Sequence, residues 1–522
     1  MPTLPPLQVY PGRGLGFLIL GASLHDVLTR LKSQPQIYPI IDVSYSSCNP
    51  ITDPVVVNLP PNGFRLRFDG PDQRLRLIEV LDFTKTLLSY KDTDLVKLPE
   101  KSGSVFEHKL SVPTGPTFRH IYDRLFGPTF PGEYLPPPQY AESEKGLYIL
   151  SYPGIAFTFP LQEDAWRSEE DFVSLLSSKA AASRSMSIFE GQSWQDARRD
   201  LMIRPCANPR SLALSTRGKE YRPDEVEAMK IQGQGRIEIE RRSSQAFQLI
   251  LGKTTPQDLI AELGPPDAIH RKYDRRLSIH KAQDRRPSTR RTFSGNSAIY
   301  YEDTTDTDQS SAHSITDDSE IDEQSQTHRN SSANVSAECF YNYFHHGFDV
   351  FLSYPTNPSP AIPSSGAPWN DSVAEGNPTH LVATKVLLHA NVPGSYPFNR
   401  YRRCRWIIDG YDSKQTLILN SETPFSTISS SLQDVWRDGF ANGSSKDSAQ
   451  KAMILNRDWG DSPGSSCEIL GDWEESTDIQ KRETPNSKAG GGPGVGNTRL
   501  YGFPGLLFEV LKNDAVNCLT VY

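Results

Sequence analysis

GFRLRF at Gly63–Phe68, GIAFTF at Gly154–Phe159, GFDVFL at Gly347–Leu352 and GLLFEV at Gly505–Val510 are four occurrences of one pattern. A glycine is followed by apolar residues at the first, third and fifth positions: Phe64, Leu66 and Phe68; Ile155, Phe157 and Phe159; Phe348, Val350 and Leu352; Leu506, Phe508 and Val510. Period-two alternation predicts a strand with one buried face. The leading glycine suits a turn with positive φ.

A stretch of helical period lies upstream of each hexamer. In SLHDVLTRL, Leu24, Val27, Leu28 and Leu31 follow i, i+3, i+4, i+7 spacing, with Ser23 placed as cap and Asp26 three residues on. TPQDLIAELG repeats that register: Thr255 as cap, Pro256 at the first helical position, Asp258 at the third, Leu259, Ile260 and Leu263 on the face, and Gly264 as the stop. The second stretch carries Phe118, Ile121, Tyr122 and Leu125; the fourth carries Phe425, Ile428, Leu432, Val435 and Trp436. The pattern predicts an α+β fold of four helix-plus-antiparallel-strand repeats in two halves. Residues 1–162 hold repeats one and two, 163–248 form a connecting β region (SMSIFEG and GRIEIERR as strands), and 249–522 hold repeats three and four. RLRLIEVLDF supplies a partner strand to the first hexamer through Leu75, Leu77 and Val80, after a turn at Gly70-Pro71-Asp72.

Three segments read as low-complexity insertions, at about 275–337, 355–379 and 440–497. From Arg271 to Arg291 there are nine basic residues, and from Glu302 to Glu323 nine acidic ones with no Lys or Arg. Such blocks bury too little apolar surface to offset ordering entropy and are expected to be disordered. Ser278 follows Arg275-Arg276 and Ser288 follows Arg285-Arg286, a setting that suits phosphorylation by basophilic kinases and a charge-tuned membrane attraction.

Composition limits the function classes. The chain has 522 residues, a net charge of −8, 36% apolar residues and 41 prolines. The charge is spread out, which argues against nucleic-acid binding. The sequence has no apolar run of the roughly 18 residues that a transmembrane helix needs, and the N-terminus lacks a signal-peptide pattern. Six scattered cysteines without CxxC spacing read as free thiols of a cytoplasmic protein.

Candidate sites are few. GRGLG at Gly12–Gly16 precedes the strand-like FLIL rather than a helix, so it reads as a loop and not a dinucleotide fingerprint. His345-His346, beside Cys339 and His389, imitate a metal cluster, but adjacent strand positions face opposite ways and no second pair has ligand spacing. No metal and no cofactor is therefore expected. Glu79, Asp349 and Glu509 are expected on solvated strand faces. No nucleophile elbow, P-loop or HExxH motif occurs, so no catalytic residue is assigned and the chain reads as a non-enzyme. The basic cluster Arg400, Arg402, Arg403 and Arg405, with Tyr401 and Trp406, is the candidate for contact with anionic lipid headgroups; pairing with carboxylates on the sheet is the alternative.

DQRLRLIEVLDFTK (Asp72–Lys85), FPGEY (Phe130–Tyr134), FYNYFHHGFDV (Phe340–Val350), LLHANVPGSYPFNRYRRCRW (Leu387–Trp406) and LLFEVLKNDAVNCLTVY (Leu506–Tyr522) together resemble the phagosome assembly factor family. The resemblance runs almost from end to end, interrupted by the insertions. It implies a non-enzymatic cytoplasmic autophagy factor that joins a β-propeller protein partner and collects at the phagophore assembly site, with phosphoinositide association of the complex. It carries over no catalytic residues. A trafficking adaptor at Golgi membranes is the alternative role.

Overall fold

The computed structural model describes residues 6–96, 114–137, 146–161, 166, 171–204, 206, 224–271, 337–355, 380–409, 418–437, 452–456 and 497–522. Ser278 and Ser288 lie outside the described residues, as do most of the three expected insertions. The fold is α+β: short helices pack on sheets that are mostly antiparallel.

The chain opens with strands β1 (Leu7–Tyr10), β2 (Gly14–Leu15) and β3 (Leu18–Ile19), then helix α1 (Leu24–Lys32). Four antiparallel strands follow in order: β4 (Asp42–Ser44), β5 (Val55–Leu59), β6 (Phe64–Phe68) and β7 (Leu75–Val80). β8 (Leu88–Tyr90) and β9 (Thr93–Asp94) return to the first strands, with β8 parallel to β1. A π-helical turn, His120–Leu125, leads into β10 (Glu133–Leu135), β11 (Gly146–Tyr152) and β12 (Ile155–Leu161). Helix α2 (Phe172–Lys179) precedes β13 (Ser185–Phe189), and helix α3 (Trp194–Asp200) follows it. β13 pairs with both β12 and β7, so two four-stranded meanders join at their fourth strands into one eight-stranded sheet.

The element order then recurs. β14 (Val226–Gly233), β15 (Arg236–Arg241) and β16 (Phe247–Ile250) precede helix α4 (Pro256–Leu263). The meander β17 (Ala268–Arg271), β18 (Cys339–Tyr343), β19 (Phe348–Ser353) and β20 (Val382–His389) comes next. β21 (Trp406–Ile408) runs parallel to β14 as β8 does to β1, and β22 (Leu419–Asn420) pairs with it. Helix α5 (Phe425–Arg437) leads to β23 (Met453–Asn456), β24 (Asn497–Phe503), β25 (Leu506–Val510) and β26 (Val516–Val521). β26 joins β20, closing a second eight-stranded sheet.

Each glycine-led hexamer lies in the third strand of a meander: β6, β12, β19 and β25. Gly63, Gly154, Gly347 and Gly505 all have positive φ, between 73° and 87°, a region that a Cβ makes unfavourable. Phe64, Phe157, Val350 and Phe508 are buried in the cores as the alternation requires. The caps also form as expected. Ser23 Oγ accepts from the Asp26 amide at 3.1 Å, and Thr255 and Asp258 make a reciprocal capping box.

One expectation is refined and one corrected. The second upstream stretch is helical over 118–125 as its spacing predicts, but it takes π form from His120, closed by the Phe126 amide on the Ile121 carbonyl at 2.9 Å. Pro116 and the Gly127-Pro128 pair leave room for no more. Residues 163–248 do not stand apart as a connecting β region. β13 completes the N-terminal sheet because Ile188 and Met186 extend its buried face between β7 and β12, whereas β14–β16 pair onward to β21.

Candidate functional site

The four arginines proposed for headgroup contact lie on or beside the connection between β20 and β21, residues 390–405. Its backbone is bent by Asn391 (φ 48°), Gly394 (φ 79°) and Asn399 (φ 63°). The Asn399 amide donates to Asn391 Oδ1 at 2.7 Å, and Ser395 Oγ donates to the Val392 carbonyl at 2.7 Å. A Cβ at Gly394 would stand 2.3 Å from the Tyr45 hydroxyl, so a side chain there would have to displace Tyr45 of the N-terminal half. Ala390 and Val392 pack on Ile51 and Ala515. Phe398 enters the core of the N-terminal half, among residues such as Leu66 and Ile78. The connection is thus a strap from one half to the other.

The strap meets the tight turn between β6 and β7. Asp69 Oδ1 accepts the amides of Asp72 at 3.0 Å and Arg74 at 3.3 Å, which shapes that turn. Burial, and then the neighbouring Asp72, push the Asp69 carboxyl up to about 6. From the turn, Gln73 exchanges two hydrogen bonds with Asn391. Arg74 Nη2 and Arg402 Nη1 both lie 2.7 Å from Glu225 Oε1, and all three side chains are 5–7% exposed. Burial opposes the charge on Glu225, yet Arg402 and Arg74 hold its carboxyl below the usual range. Beside this bridge, Arg405 spans Asp72 at 2.8 Å and Glu422 at 3.1 Å, and Arg403 faces Glu422 at 3.6 Å.

The lipid assignment of Arg402, Arg403 and Arg405 is therefore corrected. Arg402 and Arg403 are buried, and Arg405 is half-buried between two carboxylates. The physical reason is neutralisation: Glu225 and Asp72 arrive from distant parts of the chain, Glu422 from 17 residues beyond Arg405, and together they take up the charge that a headgroup would have met. Arg400 alone of the four is exposed, its guanidinium 5.9 Å from the Tyr396 ring centroid.

A second polar row crosses the outer face of the C-terminal sheet. His270 Nδ1 lies 2.6 Å from Asn342 Oδ1, and Asn342 Nδ2 donates to Asp349 Oδ1 at 2.8 Å. Asp349 Oδ2 accepts from the Tyr401 hydroxyl at 2.8 Å and pairs with His389 Nε2 at 3.0 Å. Cys518 stands opposite both His389 and Glu509 in the strand registers, and Glu509 accepts from Thr498 at 3.0 Å. Burial disfavours charge on His389, but the Cys518 sulfur and the Asp349 carboxylate raise it to about 10. The order Cys, His, Asp resembles a nucleophile set. The Tyr401 ring, however, stacks 3.8 Å from the imidazole, and Cys518 is buried.

Two further expectations change here. Asp349 and Glu509 are buried within this row rather than solvated. His345 and His346 lie in the turn before β19 and both point inward, rings 4.0 Å apart, with His345 Nδ1 on Asp267 Oδ2. Burial, then His345 and Arg402, keep His346 well below its ordinary pKa. Among the described residues no cluster of His, Cys, Asp and Glu is arranged to hold a metal, and no helix is long and apolar enough to cross a membrane. A cavity of about 380 Å³ beside α3 sets Arg76 and Arg204 against Glu190, Asp196 and Asp200 over Leu20, Leu75 and Leu201.

Sequence reasoning did not single out Gln73, Arg74, Glu225 or Glu422. Asp72–Arg74 sit inside the DQRLRLIEVLDFTK stretch, which was a usable signal; Glu225 and Glu422 had no local one.

A family model described as Phagosome assembly factor 1 matches residues 14–296 and 375–522, which include both the 69–76 turn and the strap. A PHAF1 protein of Arabidopsis thaliana is 25% identical over 98% of this chain and 92% of its own length. A PHAF1 protein of Drosophila melanogaster is 22% identical over 99% and 94% respectively, and one of Caenorhabditis elegans is 26% identical over 27% and 28%. No solved structure matches.

Proposed function

This chain belongs to the phagosome assembly factor 1 family, and on that premise we propose that it is a non-enzymatic recruitment factor of autophagy. In this reading it acts in the cytoplasm with a β-propeller protein and gathers at phosphoinositide-bearing sites of autophagosome formation. The observation that carries the proposal is the extent of the family match, which takes in the strap and strands of both sheets, with β18 and β19 in its gap. We also read the four helix-led meanders as copies of one repeated unit, so that the chain offers broad sheet surfaces for assembly. The buried arginines hold the scaffold together; direct lipid contact, if made by this chain, falls to Arg400. Phosphorylation at Ser278 and Ser288 would add negative charge to a basic segment and weaken its attraction to anionic membrane.

The test is in starved cells carrying a tagged chain. The expected result is puncta that overlap autophagy markers, together with co-purification of a propeller protein. Golgi-restricted puncta with unchanged autophagic flux on deletion would overturn the proposal. Liposomes with and without phosphoinositide separate the lipid question. If R400E lowers binding of the purified chain, contact lies here; if not, it lies with the partner.

A further inference from the structure

We infer that the two halves are separately folded units of equivalent topology, and that the seam between them is a hinge locked by the Gln73–Asn391 knot and the Arg74–Glu225–Arg402 bridge. Each half has its own hydrophobic core. One cluster runs from Val9 to Ile188 and the other from Val226 to Val521, with Phe398 of the strap crossing into the first. Possession of a private core is what allows a unit to keep its fold when its neighbour moves.

The seam has a different character from either core. Its apolar part is Phe398, seated in the N-terminal core, and the small cluster of Ile51, Ala390, Val392 and Ala515. Around it stand Asp72, Gln73, Arg74, Glu225, Asn391, Arg402 and Arg405, and Asn513 Nδ2 donates to the Ser47 carbonyl at 3.0 Å. Interfaces this polar favour relative motion over permanent fusion. A charge bridge of this kind is also strongly dependent on completeness: two guanidiniums share the one Glu225 carboxylate, and loss of that carboxylate leaves both buried charges facing each other without it.

Three of the seven non-glycine residues with positive φ among the described residues lie at the same place. Gln73, Asn391 and Asn399 are non-glycine residues with φ of 50°, 48° and 63°, and they form one hydrogen-bonded chain. Backbone held in that region persists while surrounding contacts impose it. Undocking the halves removes those contacts and lets the strap relax, so docked and relaxed forms are two discrete arrangements rather than a continuum.

The experiment uses the full chain and compares wild type with N391A and E225Q by hydrogen exchange and urea unfolding. N391A removes the knot, and E225Q removes the carboxylate of the bridge while both guanidiniums stay. In both variants the amides of residues 69–76 and 390–405 are expected to exchange about tenfold or more faster, while β6, β12, β19 and β25 stay within about twofold of wild type. Unfolding should divide into two transitions. One transition with uniformly faster exchange throughout would overturn the inference, since the seam would then be part of a single core. Unchanged exchange at the seam in a folded N391A chain would overturn it too. Should E225Q fail to fold, N391A, which leaves every charge in place, decides by the same two readouts.

Discussion

Gln73 and Asn391, 318 positions apart, hold each other by two hydrogen bonds: Gln73 Nε2 donates to the Asn391 carbonyl at 2.9 Å, and Asn391 Nδ2 donates to Gln73 Oε1 at 2.8 Å. Both residues are buried, at 1% and 3% exposure. Removing one partner strands the other. Q73A and N391A are each expected to destabilise the chain by ~1–3 kcal/mol, with less than the sum in the double variant. A double-mutant cycle in urea checks this, and additive single effects would contradict it.

The acid limb of stability should depend on Glu225. Its carboxyl is held below the usual range despite burial, through Arg402 and Arg74. A lowered folded-state pKa means that its contribution is present above the unfolded value, about 4.3, and is lost as pH falls through the folded one. Urea midpoints measured from pH 7 down to pH 3 should fall less steeply in E225Q than in wild type. His346 adds to the same limb from higher pH. It is kept neutral in the fold, so stability declines once pH drops below about 6.5, where the unfolded histidine takes up a proton.

On the alkaline side the relevant group is His389. Its folded value is raised to about 10, so its contribution is fully present below the unfolded value near 6.5 and disappears as pH rises through about 10. H389Q should be less stable than wild type at pH 6 and approach it near pH 10 to 11. A constant difference between the two across that window would refute the assignment.

Charge reversal should separate structural from surface arginines. R402E places a second carboxylate beside Glu225 and is expected to cost ~3–5 kcal/mol, seen as a large drop in melting temperature. R400E should melt within experimental error of wild type, because surface changes away from special features lie within about ±0.5 kcal/mol. Equal losses in the two variants would show that the burial difference does not matter.

Core truncation gives the reference scale. Phe157→Ala and Phe508→Ala remove fully buried rings from the two different cores and are each expected to lose ~3–5 kcal/mol. Thermal or denaturant unfolding measures both, and a loss under about 1 kcal/mol would mean the strand does not anchor its sheet.

Local pattern carried much of the fold. The hexamers led by Gly63, Gly154, Gly347 and Gly505 were legible as strands because alternation and the positive-φ turn act over a few residues. The helix at Thr255 was legible because a capping box is complete within four residues. β13 was misplaced because its partners, β7 and β12, are set by register across more than 100 residues for β7, which no short window contains. The arginine strap shows the same limit. RYRRCR reads as a basic surface when taken alone, and nothing beside it in the chain reveals Asp72, Glu225 or Glu422.

By itself, the sequence determined the elements, their caps, the buried faces of the strands and the family resemblance, all of which rest on short-range chemistry. Tertiary structure decided which charges are surface and which are seam, and it turned an expected lipid-facing cluster into the buried bridge between two halves. The reason is that desolvation depends on what packs against a side chain: the Glu225 carboxylate is brought to Arg402 by the pairing of β14 with β21, and to Arg74 by the meeting of the two halves.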